Sequence, residues 1–581
     1  KAPPLLVQDV ETLFDLTSKD VDDRIIFLDY ALIDTVVNGD YLTNGEKLMK
    51  LINQGLDGLV LVTHYSNQDG ESRATFVGDG GVFQYLDHIA RIPILYVRLE
   101  DLGPAGIAAW EDLERVEAAQ LTWDADVFIP GQSGNLVARI PGMDSSRAVI
   151  LTAHVDSPNG PGAFDDAGGS AILLEIARIL DVSQLQPAVD LYLVWFGGHE
   201  LGTYGSAYFS TTHQELLDQT LAVMGIDGVG YAFDGRTYAV GASYTPYRQY
   251  GEDGAPWPDF LAQTVQPHGV TLRKQTHTGL IADNSNFDAF NVPNFNLDYL
   301  DFDNFQTRGG PYIHYASHWH DPYETADVAR AAGDTFVEMA KVALAAALET
   351  GRTQLDLRVT RRPEQRALFV ASHTEPATIA PAMLQDLGMA LSWEGFDVDL
   401  IPYGQVLTPS DLENVGIVVL LPTLDYPGPN FETWSAEEFA LLAGYVDRGG
   451  FLVVTNSADN LASARQLDDI NEDATDLNAL LEPMGIKFQH GSVGGGVVRL
   501  TADHPLSLEA KYLTSLYDGL QVPMTQLGGV VFARGTIGLV DYGSQGGQVL
   551  VIADIGLLKN NADGAKNLNF VKNIASYACS R

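Results

Sequence analysis

The stretch Val149–Gly169 reads VILTAHVDSPNGPGAFDDAGG, and the reading of the whole chain starts there. Val149–Ala153 is a short apolar run of the kind that forms a buried strand, and His154 stands where it ends. Pro158, Gly160, Pro161 and Gly162 then force a turn, and Asp165-Asp166 open a helix. Ile172, Leu173, Ile176, Ala177 and Leu180 share one face of that helix, which spans Gly168–Leu180. In open α/β sheets ligands sit outside the carboxyl ends of the strands, which is where this reading puts His154 and Asp156. An imidazole there can bind a metal while a nearby carboxylate fixes its tautomer. The turn allows Asp165 to return its carboxylate to the same ion. Taken alone, His-x-Asp is equally well explained by a solvated loop with an N-capping aspartate, so the rest of the chain has to decide.

On either side of this unit the pattern repeats. Ile107–Ala118 reads as a helix, and Leu121–Ile129 and Ser133–Ile140 read as strands joined by Pro130-Gly131-Gln132. Val189–Phe196 (VDLYLVWF) and Leu221–Ile226 are buried strands, and Ala326–Thr350 is a long alanine-rich helix. Strands alternating with helices predict an α/β domain, a doubly wound mixed sheet covered on both faces, over residues 106–350. Before it, residues 1–105 hold strands at Arg24–Asp29, Leu59–Thr63 and Ile92–Val97 and a helix over Asn44–Gln54. After an arginine-rich connector at Gly351–Gln365, residues 366–581 restart an α/β pattern. Its strands are Ala367–Ala371, Gly416–Leu421, Phe451–Thr455 and Gln548–Ala553. Helices Pro381–Trp393 and Ala436–Asp447 lie between them, with a capping box from Ser435 and Glu438 on the second.

Composition narrows the function classes. The chain has 581 residues, 46% of them hydrophobic, which suits several globular domains. It has no run of 18 apolar residues, so no membrane span is expected. Its net charge of −42 repels nucleic acid and anionic membrane surfaces. The single cysteine, Cys579, excludes an internal disulfide and a cysteine-bound metal. The sequence opens Lys1-Ala2-Pro3-Pro4, which suits an export signal already removed and hence a secreted or cell-envelope protein.

Residues that carry chemistry collect at the strand ends of the central segment. Gly197-Gly198-His199-Glu200 follows VDLYLVWF, Asp227 follows LAVMGI, and His320 precedes the long helix. With His154 and Asp165 this makes two imidazoles and three carboxylates, a mixed nitrogen and oxygen set suited to zinc. One carboxylate can bridge two metals about 3.5–4 Å apart. Each residue singly is more often structural; five in this order, each at a break in a β/α unit, point to a metal centre.

The segments HVDS…GAFDDAGGSA, FGGHELGTYGS, GIDGVG and HDPYET, in that order, make residues 120–350 resemble the co-catalytic zinc aminopeptidases of the bacterial leucyl aminopeptidase and aminopeptidase Y group. Glutamate carboxypeptidase and glutaminyl cyclase are relatives. The resemblance implies a zinc-dependent exopeptidase acting on peptides, with two Zn2+ ions. It implies that His154, Asp165 and Asp227 hold one and Asp165, Glu200 and His320 the other, with Asp165 bridging. Asp156 would orient His154, Glu324 stands where the family has an aspartate, and Asp283 matches the aspartate of a Ser-Asp-His segment that reads Ala-Asp-Asn here. The departure is His199, which replaces the glutamate that serves as general base; an imidazole can take that role near neutral pH. Two other readings follow from it: a metal-binding relative without turnover, and a glutaminyl cyclase-like acyl transferase.

The flanking segments carry weaker resemblances. GLDGLVLV and IPILYV make residues 1–105 similar to a protease-associated domain, a module without chemistry. Strand order and YVDRGGFLVVT make residues 366–581 similar to a flavodoxin-like, glutamine-amidotransferase-like domain lacking its nucleophile.

Overall fold

The computed structural model describes residues 4–21, 24–29, 56–63, 94–120, 133–157, 160–200, 203–229, 239–244, 256–269, 273–276, 283–290, 292–300, 324–331, 333–353, 365–373, 381–402, 404–421, 434–456, 477–492, 496–515, 520–521, 529–533, 535–558 and 565–581. The expected helix at 44–54, the strand at 121–129, most of the arginine-rich connector and His320 lie outside these residues.

Among the described residues three larger sheets organise the chain, and the architecture is mixed α/β. Pro4–Val7, Ile25–Asp29, Gly58–Thr63 and Ile94–Arg98 form a parallel sheet in that order. The central sheet has seven strands among the described residues. Their order is Arg273–Thr276, Ala239–Tyr244, Asn294–Leu300, Thr220–Ile226, Asp144–His154, Val189–Phe196 and Leu136–Ile140. The four strands from Asn294–Leu300 to Val189–Phe196 run parallel; Leu136–Ile140 joins antiparallel at one edge, and on the other side Ala239–Tyr244 joins antiparallel and pairs parallel with Arg273–Thr276. The third sheet orders Asp397–Ile401, Arg366–Val370, Val415–Leu420, Phe451–Thr455, Gly547–Ile552, Ile537–Tyr542 and Val530–Ala533. Among the described residues no helix is long and apolar enough to cross a membrane.

The period-2 geometry of a strand explains how the central sheet is covered on both faces. Val149, Leu151 and Ala153 turn to one face, where they pack with Ile172, Leu173 and Ile176 of helix Ala167–Ser183 and with Met339 and Val342 of helix Gly333–Arg352. Ile150 turns to the other, into a core with Phe196, Phe209 and Phe287 that runs on into Phe369, Leu387 and Phe396 of the C-terminal sheet and its helix. The central and C-terminal units therefore share buried apolar surface. Helix Pro381–Trp393 lies against the short 3-10 segment Asp283–Phe290, with Ser392 Oγ donating to the Ala289 carbonyl.

Two expected elements take other forms. The helix expected at Ile107–Ala118 is a 3-10 turn at Trp110–Arg115, entered from Ala109 in an extended conformation and left through an extended Val116. The helix expected at Ala326–Thr350 is two helices, Ala326–Ala331 and Gly333–Arg352, and the second opens on a glycine, a weak helix former.

The fold places a switch point at His154. From strand Asp144–His154 the chain passes through helix Ala167–Ser183 to Val189–Phe196 on one side. It then returns to Thr220–Ile226 on the other side. The crevice at the carboxyl ends of Asp144–His154 and Thr220–Ile226 is where such a sheet binds its ligand, and His154 and Asp227 stand at its two walls.

Candidate metal centre

Each side chain of the centre is held by its own backbone context. His154 is the last residue of its strand and fully buried. Its Nδ1 donates to the Asp156 carbonyl at 3.0 Å, and its Nε2 lies 2.8 Å from Asp165 Oδ1 and 3.8 Å from Asp227 Oδ1. Asp166, after a cis Asp165–Asp166 peptide, accepts the His154 backbone N–H at 3.1 Å and caps helix Ala167–Ser183 through Gly169 N–H at 3.0 Å. Gly169 allows that close approach: a Cβ there would stand 2.4 Å from Asp166 Oδ1 and 2.4 Å from the Ile226 carbonyl oxygen.

His199 and Glu200 lie just beyond strand Val189–Phe196, past Gly198, whose φ of 72° belongs to the left-handed region. Asp156 braces this turn: its carboxylate accepts the N–H of His199 at 3.1 Å and of Glu200 at 3.0 Å. The sequence reading had the Asp156 carboxylate orienting His154. That carboxylate lies 3.7 Å from His154 Nδ1, beyond hydrogen-bond range, and the Asp156 carbonyl makes the bond. Burial pushes Asp156 up, but His154 and the Glu200 N–H outweigh it and hold it at about 2.

Two groups of side chains have ligand atoms within 4.8 Å of one another: His154, Asp165 and Glu200, and His154, His199 and Asp227. The structure thus brings together four of the five expected ligands, and His320 is outside the described residues. It also brings in His199. The imidazoles of His154 and His199 stack with centroids 3.9 Å apart and planes 5° from parallel. His199 Nδ1 lies 3.1 Å from Asp283 Oδ2, and its Nε2 is 3.8 Å from Asp227 Oδ2. Burial and the neighbouring His154 work against a charged His199, yet Asp283 and Asp227 outweigh them and raise its pKa to about 9. Burial also opposes a charge on His154, but Asp156, Asp165 and Asp227 raise it well above the ordinary histidine range.

Sequence reasoning matched Asp283 and Glu324 to motif positions without finding what they touch. Asp283 opens the 3-10 segment Asp283–Phe290, and its other oxygen accepts Ser206 Oγ at 2.5 Å. Asn286 in turn donates to Ser206 Oγ at 2.7 Å and to Thr203 Oγ1 at 3.0 Å. Glu324 is fully buried, and its Oε1 accepts the N–H groups of Phe164 at 2.8 Å and Asp165 at 2.6 Å. Nothing in a single sequence signals Ser206 or Asn286, because their contacts cross 77 and 80 positions.

Residues 135–347 match Peptidase family M28. Leupeptin-inactivating enzyme 1 of Streptomyces exfoliatus is 37% identical over 112 residues, 18% of this chain and 26% of that protein. A probable zinc metalloprotease of Pyrenophora tritici-repentis is 34% identical over 111 residues, 17% of this chain and 23% of the relative. Carboxypeptidase Q of Homo sapiens is 30% identical over 149 residues, 25% of this chain and 31% of the relative. The match thus spans no more than 31% of the length of these relatives. Among solved structures, a zinc aminopeptidase from Bacillus subtilis is similar at a TM-score of 0.44 and 17% identity, over 60% of this chain and 74% of that one. The residues that match the Peptidase family M28 model, 135–347, hold every described residue of the centre.

Proposed function

We propose that this chain is a zinc-dependent exopeptidase, and an aminopeptidase in direction. The observation that carries the reading is the convergence at the strand ends of two groups of side chains, His154 with Asp165 and Glu200, and His154 with His199 and Asp227, each with ligand atoms within 4.8 Å of one another. Two neutral-capable imidazoles with carboxylates suit zinc. His154, Asp165 and Asp227 would hold one ion, and Asp165 and Glu200, with His320 from outside the described residues, would hold a second. Zinc there would supply a water nucleophile at neutral pH and polarise the scissile carbonyl.

The chain's own residues do the holding. Glu324 fixes the loop that carries Asp165, the Asp156 carbonyl sets the His154 tautomer, and the Asp156 carboxylate fixes the turn that aims Glu200. The aminopeptidase direction rests on the resemblance of the HVDS, FGGHELGTYGS and HDPYET segments to the bacterial leucyl aminopeptidase and aminopeptidase Y group. A panel of peptides blocked at the amino end, the carboxyl end or neither tests it. Release from carboxyl-blocked peptides alone supports an aminopeptidase, and release from amino-blocked peptides alone overturns that direction. Pyroglutamate formed from an N-terminal glutamine peptide, without hydrolysis, would move the assignment to acyl transfer.

A further inference from the structure

We propose that His199 is a metal ligand, so that it joins His154, Asp227 and the shared Asp165 on one ion of the centre. The inference deepens the reading above and rests on it only in requiring a metal at this centre.

Three observations carry it. First, the ligand atoms of His154, His199 and Asp227 all lie within 4.8 Å of one another, as do those of the group His154, Asp165 and Glu200. Second, the two imidazoles stand alike toward Asp227: His154 Nε2 is 3.8 Å from its Oδ1 and His199 Nε2 is 3.8 Å from its Oδ2. Bonds of about 2.0–2.2 Å to one tetrahedral ion put ligand atoms about 3.3–3.5 Å apart, and each imidazole stands a few tenths of an ångström beyond that from one oxygen of the Asp227 carboxylate. Third, each ring has its far nitrogen tied down as ligating histidines do. His154 Nδ1 donates to the Asp156 carbonyl at 3.0 Å, and His199 Nδ1 to Asp283 Oδ2 at 3.1 Å.

The Asp283 bond decides the tautomer. A carboxylate accepts, so the proton sits on Nδ1 and the lone pair on Nε2 faces the centre. Asp283 is 5% exposed and is fixed by Ser206 Oγ, so the anchor is built into the fold. The rings are parallel, within 5°. Two parallel rings do not aim both in-plane lone pairs at one ion, so shared ligation requires the rings to tilt apart. A general base would instead leave the metal set complete without His199. The two roles differ in what they do to the metal.

The test is zinc binding by the full chain, read by competition with a chromophoric chelator and by metal content after equilibration. The parent is compared with His199→Ala and Asp283→Asn. The proposal expects His199→Ala to bind one zinc at least about 100-fold more weakly than the parent, and Asp283→Asn about 10- to 100-fold more weakly, as for loss of a partner that orients a ligand. Parent zinc affinity in both variants overturns it and returns His199 to the base role. If His199→Ala does not fold, Asp283→Asn decides alone, by weakened or unchanged zinc binding. A parent chain that binds no zinc would sink the zinc reading itself, whereas unchanged variants of a zinc-binding parent sink only the ligand role.

Discussion

Glu324 and Asp165 are 159 positions apart, yet the Oε1 atom of the first accepts the backbone N–H of the second at 2.6 Å. The same oxygen takes the Phe164 N–H at 2.8 Å, and the Ala163 N–H reaches the Glu324 carbonyl at 3.1 Å. Three consecutive residues of the loop that presents Asp165 are thus pinned to one buried residue. Glu324→Ala leaves two buried N–H groups without that acceptor, a loss of about 1–3 kcal/mol of stability. It also frees the Asp165 carboxylate, weakening zinc binding about 10- to 100-fold. Denaturant unfolding of the chelated chain and zinc titration read the two effects. Glu324→Gln keeps an oxygen at this position and is expected to lose less on both counts; an alanine variant with parental values would show that the clamp is idle.

Asp165 itself is the proposed bridge between two ions. Asp165→Ala should therefore remove both from the purified chain, whereas His320→Ala should spare one. Metal content at matched free zinc distinguishes them. Full zinc content in Asp165→Ala would refute the bridge.

Zinc uptake should expel protons. In the chelated chain the pKa of His199 stands at about 9, above the ordinary value of 6.5, because Asp283 and Asp227 outweigh burial and the neighbouring His154. The charged imidazole stabilises the chelated fold fully below about 6.5, and the gain fades as pH rises through about 9. A ligating imidazole must be neutral, so zinc affinity should climb with pH up to that value. Calorimetric titration at pH 7.5 in buffers of different ionisation enthalpy counts the protons released. The parent should release about one more than His199→Ala; equal counts would contradict a charged, ligating His199.

Much of the fold was legible because its signals are local. VDLYLVWF is apolar at nearly every position and is a strand at Val189–Phe196, and the Ser435–Glu438 capping box opens helix Ala436–Asp447. Arg273–Thr276 (RKQT), at the sheet edge, and its neighbour Ala239–Tyr244 (AVGASY) were not, since neither shows a continuous apolar run or strict alternation of polar and apolar residues. His154 and Asp227 were legible because each follows an apolar strand directly. The partnership of His199 with Asp283 was not, because it joins positions 84 apart and depends on how Asp283–Phe290 packs.

That packing gives the C-terminal unit a role at the centre. A Cβ at Gly388 would stand 2.8 Å from Ala289 Cβ, in the segment that begins with Asp283. Gly388→Val should displace this segment, costing about 1–3 kcal/mol as overpacking does, and should weaken zinc binding through the loosened Asp283–His199 contact. Unfolding and zinc titration check both. A variant with lowered stability but parental zinc affinity would confine Gly388 to the interface.

The most direct test of the central claim is hydrolysis of a broad panel of carboxyl-blocked peptides by the full chain, followed as zinc is stripped by a chelator and then restored. The account predicts release of N-terminal residues that falls with zinc content and returns when zinc is added back. A chain that holds its full zinc and releases nothing from the panel would contradict it, and would leave a metal-binding relative without turnover.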